Sequence, residues 1–116
     1  MGRIVHVELT SADPERAVDF YRAAFGWESA ASPYVDGYLL TATGSGDGID
    51  GAIMSREHQS QAAIVWLQVE DLEATRTAVV AAGGSVVGEP QEIPGQGSVG
   101  YVRDPEGTLL GLRQPV

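Results

Sequence analysis

At 116 residues with 43% apolar side chains, the chain is about one domain's worth of sequence and carries enough apolar material for a core. It has no cysteine, which excludes a disulfide scaffold, a thiolate metal site and a cysteine nucleophile. The net charge of −9, with arginine as the only basic side chain besides histidine, opposes contact with a phosphate backbone, and no apolar run approaches the ~18 residues of a membrane span.

The first stretch, "MGRIVHVELT", lacks the long apolar run of a signal peptide, so the expectation is a soluble cytoplasmic protein with no nucleic-acid or membrane partner. "RIVHVEL" (3–9) alternates and is rich in β-branched residues, which predicts a strand. "SADPERAVDFYRAAFGW" (11–27) predicts a helix: Asp13 suits the N-cap, Pro14 the first helical position and Gly26 the stop. Ala17, Phe20, Tyr21, Ala24 and Phe25 share one face at helical spacing and are expected to be core. Strands are expected at 27–31, 37–42 and 48–55, with "TGSGDG" (43–48) as the turn between the last two and "REHQSQ" (56–61) as a polar linker. The pattern then restarts, with a strand at 62–71, a glycine-stopped helix at 72–84 and strands at 85–93, 97–104 and 108–114.

Sliding the chain by 58 positions superimposes the halves. Val7 falls on Val65, Leu9 on Leu67, Asp13 on Asp71, Glu15 on Glu73, Ala24 on Ala82 and Gly26 on Gly84, with no gap from first strand through helix. The order is β-α-β-β-β, twice, with module 1 over about 1–57 and module 2 over about 62–116. One helix per half covers one sheet face, so the other face is left to line a cavity or find cover elsewhere.

Three stretches, "HVELTSADPERAVDFYRAAFGWE" (6–28), "VEDLEATRTAVVAAGG" (69–84) and "DPEGTLLGL" (104–112), together with this repeat, resemble the vicinal oxygen chelate superfamily, also called the glyoxalase/bleomycin resistance/dioxygenase superfamily. The resemblance implies an α+β fold in which two βαβββ modules form a curved mixed sheet around a central cup, often in a homodimer. It also implies, in metal-dependent members, one divalent metal held by four His, Glu or Gln side chains. Each module supplies two of these, one from its first strand and one from its last. Carried over position by position, the set is incomplete. His6 fits the first-strand position of module 1, but its repeat partner is Ile64, and Gly111 stands where such relatives carry glutamate. The remaining position falls at Gly51 or Ala52. A lone imidazole does not hold a catalytic metal, for which three protein ligands are usual, and Asp50 and His58 are poorly placed as substitutes. The expectation is therefore no metal and no cofactor.

Gly111 is a mid-strand glycine between Leu110 and Leu112, and its missing side chain is expected to open space in the cup. Strand alternation puts His6, Glu8 and Thr10 on one face of the first strand, with Trp66 and Gln68 on the matching face of module 2 and Leu109 and Arg113 in the same phase of the last strand. Tyr101 and Tyr38 are further lining candidates whose strand phase the pattern leaves open. His6 reads either as a hydrogen-bonded buried histidine or as a base or ligand contact. Glu8 reads as its carboxylate neighbour, and Trp66 as core filler or stacking wall. The candidate ligand-binding set is thus His6, Glu8, Trp66, Gln68, Tyr101 and Arg113, with His6 and Glu8 as candidate catalytic residues. Two functions follow. One is a small-molecule-binding protein of bleomycin-resistance type that takes an aromatic or cationic compound. The other is a metal-independent enzyme of lyase or isomerase type, with His6 and Glu8 transferring a proton. A metal-dependent glyoxalase or dioxygenase is disfavoured by the ligand count.

Overall fold

The structure, a computed structural model, describes residues 2–116. Ten elements follow one another along the chain. They are β1 (Arg3–Ser11), α1 (Pro14–Phe25), β2 (Glu28–Ala31), β3 (Leu39–Ala42), β4 (Gly51–Ser55), β5 (Ala63–Gln68), α2 (Leu72–Ala81), β6 (Ser85–Ile93), β7 (Gly97–Arg103) and β8 (Leu109–Gln114). The chain divides into two compact units. His6–Ile64 makes one, and the N-terminal residues through Val5 join Val65–Val116 in the other.

In the His6–Ile64 unit, β2 pairs antiparallel with β3 and β3 with β4, while β4 runs parallel to β1. Register aligns Glu8, Ala52, Leu40 and Ala30 across β1, β4, β3 and β2, and it aligns Val7, Gly51, Thr41 and Ser29 one step away. Side chains alternate along each strand, so the first row shares a face with His6 and the second lies on the opposite face. A Cβ on Gly51 would overlap the Val7 carbonyl, so the close approach of β4 to β1 requires glycine there. The predicted strands at 37–42 and 48–55 shorten to β3 and β4. Between them, glycines 44, 46 and 48 all take positive φ, and Asp50 Oδ1 accepts from the Thr43 amide at 2.9 Å.

Helix α1 begins as its sequence dictates. Asp13 Oδ1 accepts from the Arg16 amide at 3.2 Å, Pro14 opens the first turn, and Gly26 closes it at φ +75°. The expected core face is overturned. No α1 residue is buried, with Phe20 58% and Phe25 62% exposed. These rings instead pack on one another and on Trp27. Tyr21 stacks on Trp27 with centroids 4.8 Å apart, Phe20 sits edge-on to Tyr21 at 5.1 Å, and Phe25 lies 5.7 Å from Trp27. Helical periodicity tells which side chains share a face, but on this face Ala17 and Tyr21 are only half-buried and Phe20 and Phe25 stay exposed.

The second unit repeats the pairing. Strand β6 is antiparallel to β7 and β7 to β8, with β8 parallel to β5. Here the helix is packed. Leu72, Val69, Val102 and Leu112 form a core, each no more than 5% exposed, with Leu67, Val79 and Leu110 against it. Asp71 caps α2 by accepting from Ala74, and the Leu72 amide donates to Gln114 Oε1 at 2.7 Å, which fixes the helix start to β8. The helix itself ends at Ala81 with Ala82 as cap, and the glycine pair follows. The turn at Asp104–Gly107 is built as read. Asp104 Oδ1 accepts from Glu106 and Thr108, and Gly107 takes φ +87°.

Candidate functional site

In the His6–Ile64 unit, the face carrying His6 holds a cavity of about 630 Å³, lined by His6, Leu40, Ala42, Ala30, Asp50 and Glu28 among others. That volume lies within the range typical of small-molecule pockets. His6, in the lining, has its Nε2 2.7 Å from the hydroxyl of Tyr38, which is not itself a lining residue, a strong hydrogen bond with the ring planes 18° apart. The phenol donates to the imidazole in one tautomer and accepts from Nε2–H in the other. Tyr38 therefore belongs with His6. The sequence offered it only as a lining candidate, since the two residues lie 32 positions apart and Tyr38 stands just before β3. The strand alternation that puts Leu40 on this face is the signal that could have placed it.

The carboxylates set the charge of the cavity. Asp50 Oδ1 accepts from the Thr43 amide and lies 3.3 Å from the Thr43 hydroxyl, which holds the group in position at the cavity edge. Glu28, with a side chain 75% exposed, sits 3.9 Å from Arg22, a loose surface pair worth little. No arginine or lysine lines the cavity. Glu8 is buried at 2% exposure and is not among the lining residues. Thr10, on the same face, is committed to structure: its hydroxyl donates to the Gln61 carbonyl at 2.8 Å, and Arg56 donates to the Thr10 carbonyl. His58 is exposed in the turn after β4.

In the second unit, Trp66, Gly111 and Tyr101 lie side by side in register across β5, β8 and β7. The expected open space at Gly111 is not there. A Cβ on Gly111 would overlap the Trp66 indole, so the ring lies across the glycine. Trp66 is 7% exposed and meets Tyr101 edge-on at 5.1 Å. Gln68 is half-buried and pairs in register with Arg113, whose guanidinium donates to the Gln96 carbonyl at 3.2 Å. The structure thus brings Trp66 and Tyr101 together, while Arg113 is tied to the turn between β6 and β7.

The four positions at which the resemblance implies metal ligands can now be tested. Register makes Ala52, opposite Glu8, the counterpart of Gly111, opposite Trp66. His6, Ala52, Ile64 and Gly111 offer one donor between them. Among the described residues no group of three or more His, Cys, Asp or Glu is placed to hold a metal ion.

Residues 3–112 match the family model for the Glyoxalase/Bleomycin resistance protein/Dioxygenase superfamily. The chain belongs to that superfamily. Among curated proteins it is similar to a putative glyoxylase, CFP32, of Mycobacterium tuberculosis, at 28% identity over 98% of this chain. That match covers 44% of CFP32, so the chain spans less than half the length of that relative. It is also similar to a probable lactoylglutathione lyase of Vibrio parahaemolyticus, at 29% identity over 97% of this chain and 91% of that one. Among solved structures, methylmalonyl-CoA epimerase of Mycobacterium tuberculosis matches with a TM-score of 0.73 over 97% of this chain and 87% of that one. At 19% identity this likeness speaks to the fold alone, and it bears out the α+β superfamily fold. Among the described residues no helix is long and apolar enough to cross a membrane.

Proposed function

We propose that the chain is a metal-independent superfamily member whose cavity beside His6 binds a compact cationic or aromatic molecule. The observation that carries this reading is a cavity lined by His6, whose imidazole is hydrogen-bonded to Tyr38, and by Asp50 and Glu28, with no arginine or lysine among its described lining residues. Alanine and leucine walls give apolar area, the imidazole, oriented by its bond to Tyr38, gives direction, and the carboxylates favour positive charge. The same charge opposes the anionic esters and phosphates that a basic lining would hold. A degenerate metal site is supported by the apolar residues at three of the four ligand positions. Within the second unit, Trp66, Tyr101, Gln68 and Arg113 share one strand phase and are proposed as that unit's own ligand contacts, and Glu8 shares its strand face with His6. A cytoplasmic homodimer is part of the same proposal, resting on the superfamily resemblance.

The test uses two probes with similar rings and opposite charge. Benzyltrimethylammonium is expected to bind in isothermal titration and benzoate at least tenfold more weakly. Asp50→Asn should lower benzyltrimethylammonium affinity by up to about fivefold, since an ion pair open to solvent is worth up to about 1 kcal/mol. Tighter binding of benzoate would refute the reading.

The second reading, proton transfer, is favoured by the same dyad, because an imidazole beside a phenol can take a proton on one and give one from the other. It predicts that the protein catalyses deuterium uptake α to the carbonyl of α-hydroxyacetophenone. It also predicts that His6→Ala abolishes this uptake while leaving benzyltrimethylammonium affinity within a few-fold. Equal loss of both would make His6 a positioning residue.

A further inference from the structure

The opposite face of the same unit holds a second cavity, of about 370 Å³, and we infer that it is a separate binding site for a neutral apolar ring compound. Its walls are Val7, Leu9, Ile53, Ile49 and the Trp27 indole, with Thr43 and Asp50 at the rim. Register puts Val7 on the face away from Glu8 and Leu40, so this space and the cavity beside His6 lie on opposite sides of one sheet.

Three observations point to an occupant. First, folded interiors rarely leave voids larger than a water, yet this unit leaves a ligand-sized space over the apolar side of its sheet. The repeat-related unit fills its helix–sheet interface with Leu72, Val69, Val102 and Leu112, whereas α1 buries nothing and Val7 and Leu9 are only half-buried. Second, the polar groups at the rim are already engaged. The Thr43 hydroxyl donates to the Ile49 carbonyl at 2.6 Å, Asp50 Oδ1 accepts from Thr43, and the Thr41 hydroxyl bonds Ser29 at 2.9 Å. What remains for a ligand is aliphatic wall and an indole, held in place by its stack on Tyr21. Third, the Asp50 carboxylate at the rim and the net charge of −9 oppose an anion. Walls of valine, leucine and isoleucine strip water from a charge of either sign without replacing it, so the occupant is apolar, ring-shaped and uncharged.

Two naphthalene probes separate charge from shape, because N-phenyl-1-naphthylamine is neutral and its relative 1-anilinonaphthalene-8-sulfonate carries one negative charge. Fluorescence titration of the full chain is expected to show one saturable site for the neutral probe and at least tenfold weaker binding of the anion. In a Trp66→Phe background, Trp27 is the remaining tryptophan and should transfer energy to the bound neutral probe. Two variants locate the site. Val7→Phe fills the space from the sheet, and Ile49→Glu puts a charge on a side chain 40% exposed at the mouth, where folding tolerates it. Each should weaken the neutral probe at least tenfold with the melting temperature held. His6→Ala, on the other face, should leave it unchanged. Failure of the neutral probe to saturate at one per chain, indifference to both cavity variants, or loss in His6→Ala would each overturn the inference. The last result would place the probe in the cavity beside His6.

Discussion

Gly111 and Trp66 depend on each other. The indole lies where any side chain at 111 would begin, so Gly111→Ala forces a bulky ring out of a packed position. Overpacking of that kind costs about 1–3 kcal/mol, and urea denaturation should show it. In a Trp66→Ala background the same substitution should cost less than 1 kcal/mol, since the two residues are in contact and their effects are not additive. Equal costs in both backgrounds would mean that the ring does not occupy the glycine's face. The mid-strand glycine, standing where the resemblance puts a glutamate, was legible in the sequence. What filled the gap was not, because the direction of the Trp66 side chain depends on packing across three strands. Tyr38 has the same history. Alternation placed His6 on a face, but a partner 32 residues away is a tertiary fact. Tyr38→Phe should lower stability in urea denaturation by about 0.5–1.5 kcal/mol, the worth of its hydrogen bond to His6.

The two helices share a sequence repeat and differ in what they bury. The Asp13 cap was legible, because an aspartate before a helical run has one local job, and the repeat puts Asp71 in the same place. Asp13→Ala should cost about 1 kcal/mol in thermal or urea unfolding. The fate of the apolar face was not legible, because periodicity is local while burial depends on what faces the helix. Leu72 in α2 is buried at 3% exposure, while its repeat partner at the start of α1 is Pro14, which keeps no comparable side chain for the sheet. The contrast gives a paired prediction. Leu72→Ala should destabilise by about 2–5 kcal/mol. Phe20→Ser should stay within about 1 kcal/mol, because its ring is 58% exposed and loses only an edge contact with its neighbours. A large loss at Phe20 with a small one at Leu72 would invert this account of the two helices.

At the scale of the whole chain, superfamily membership and function separate. Fold and membership were readable from helix caps, a glycine-ended aromatic helix and a repeat, all of them local signals at fixed spacing. The chemistry was readable only in the negative, as ligand types missing from three of four positions, and a fold shared with a CoA-ester epimerase does not supply it. The charge of −9 and the acid-edged cavity argue together for a cationic guest. The measurement that tests this most directly is the melting temperature of chelator-treated protein, titrated in parallel with zinc, nickel, manganese and benzyltrimethylammonium. A specific binder raises it as its concentration passes the dissociation constant. The account predicts a rise with benzyltrimethylammonium that is diminished in Asp50→Asn, and no saturable rise with any of the three metals. A saturable, His6-dependent rise with a metal would contradict it.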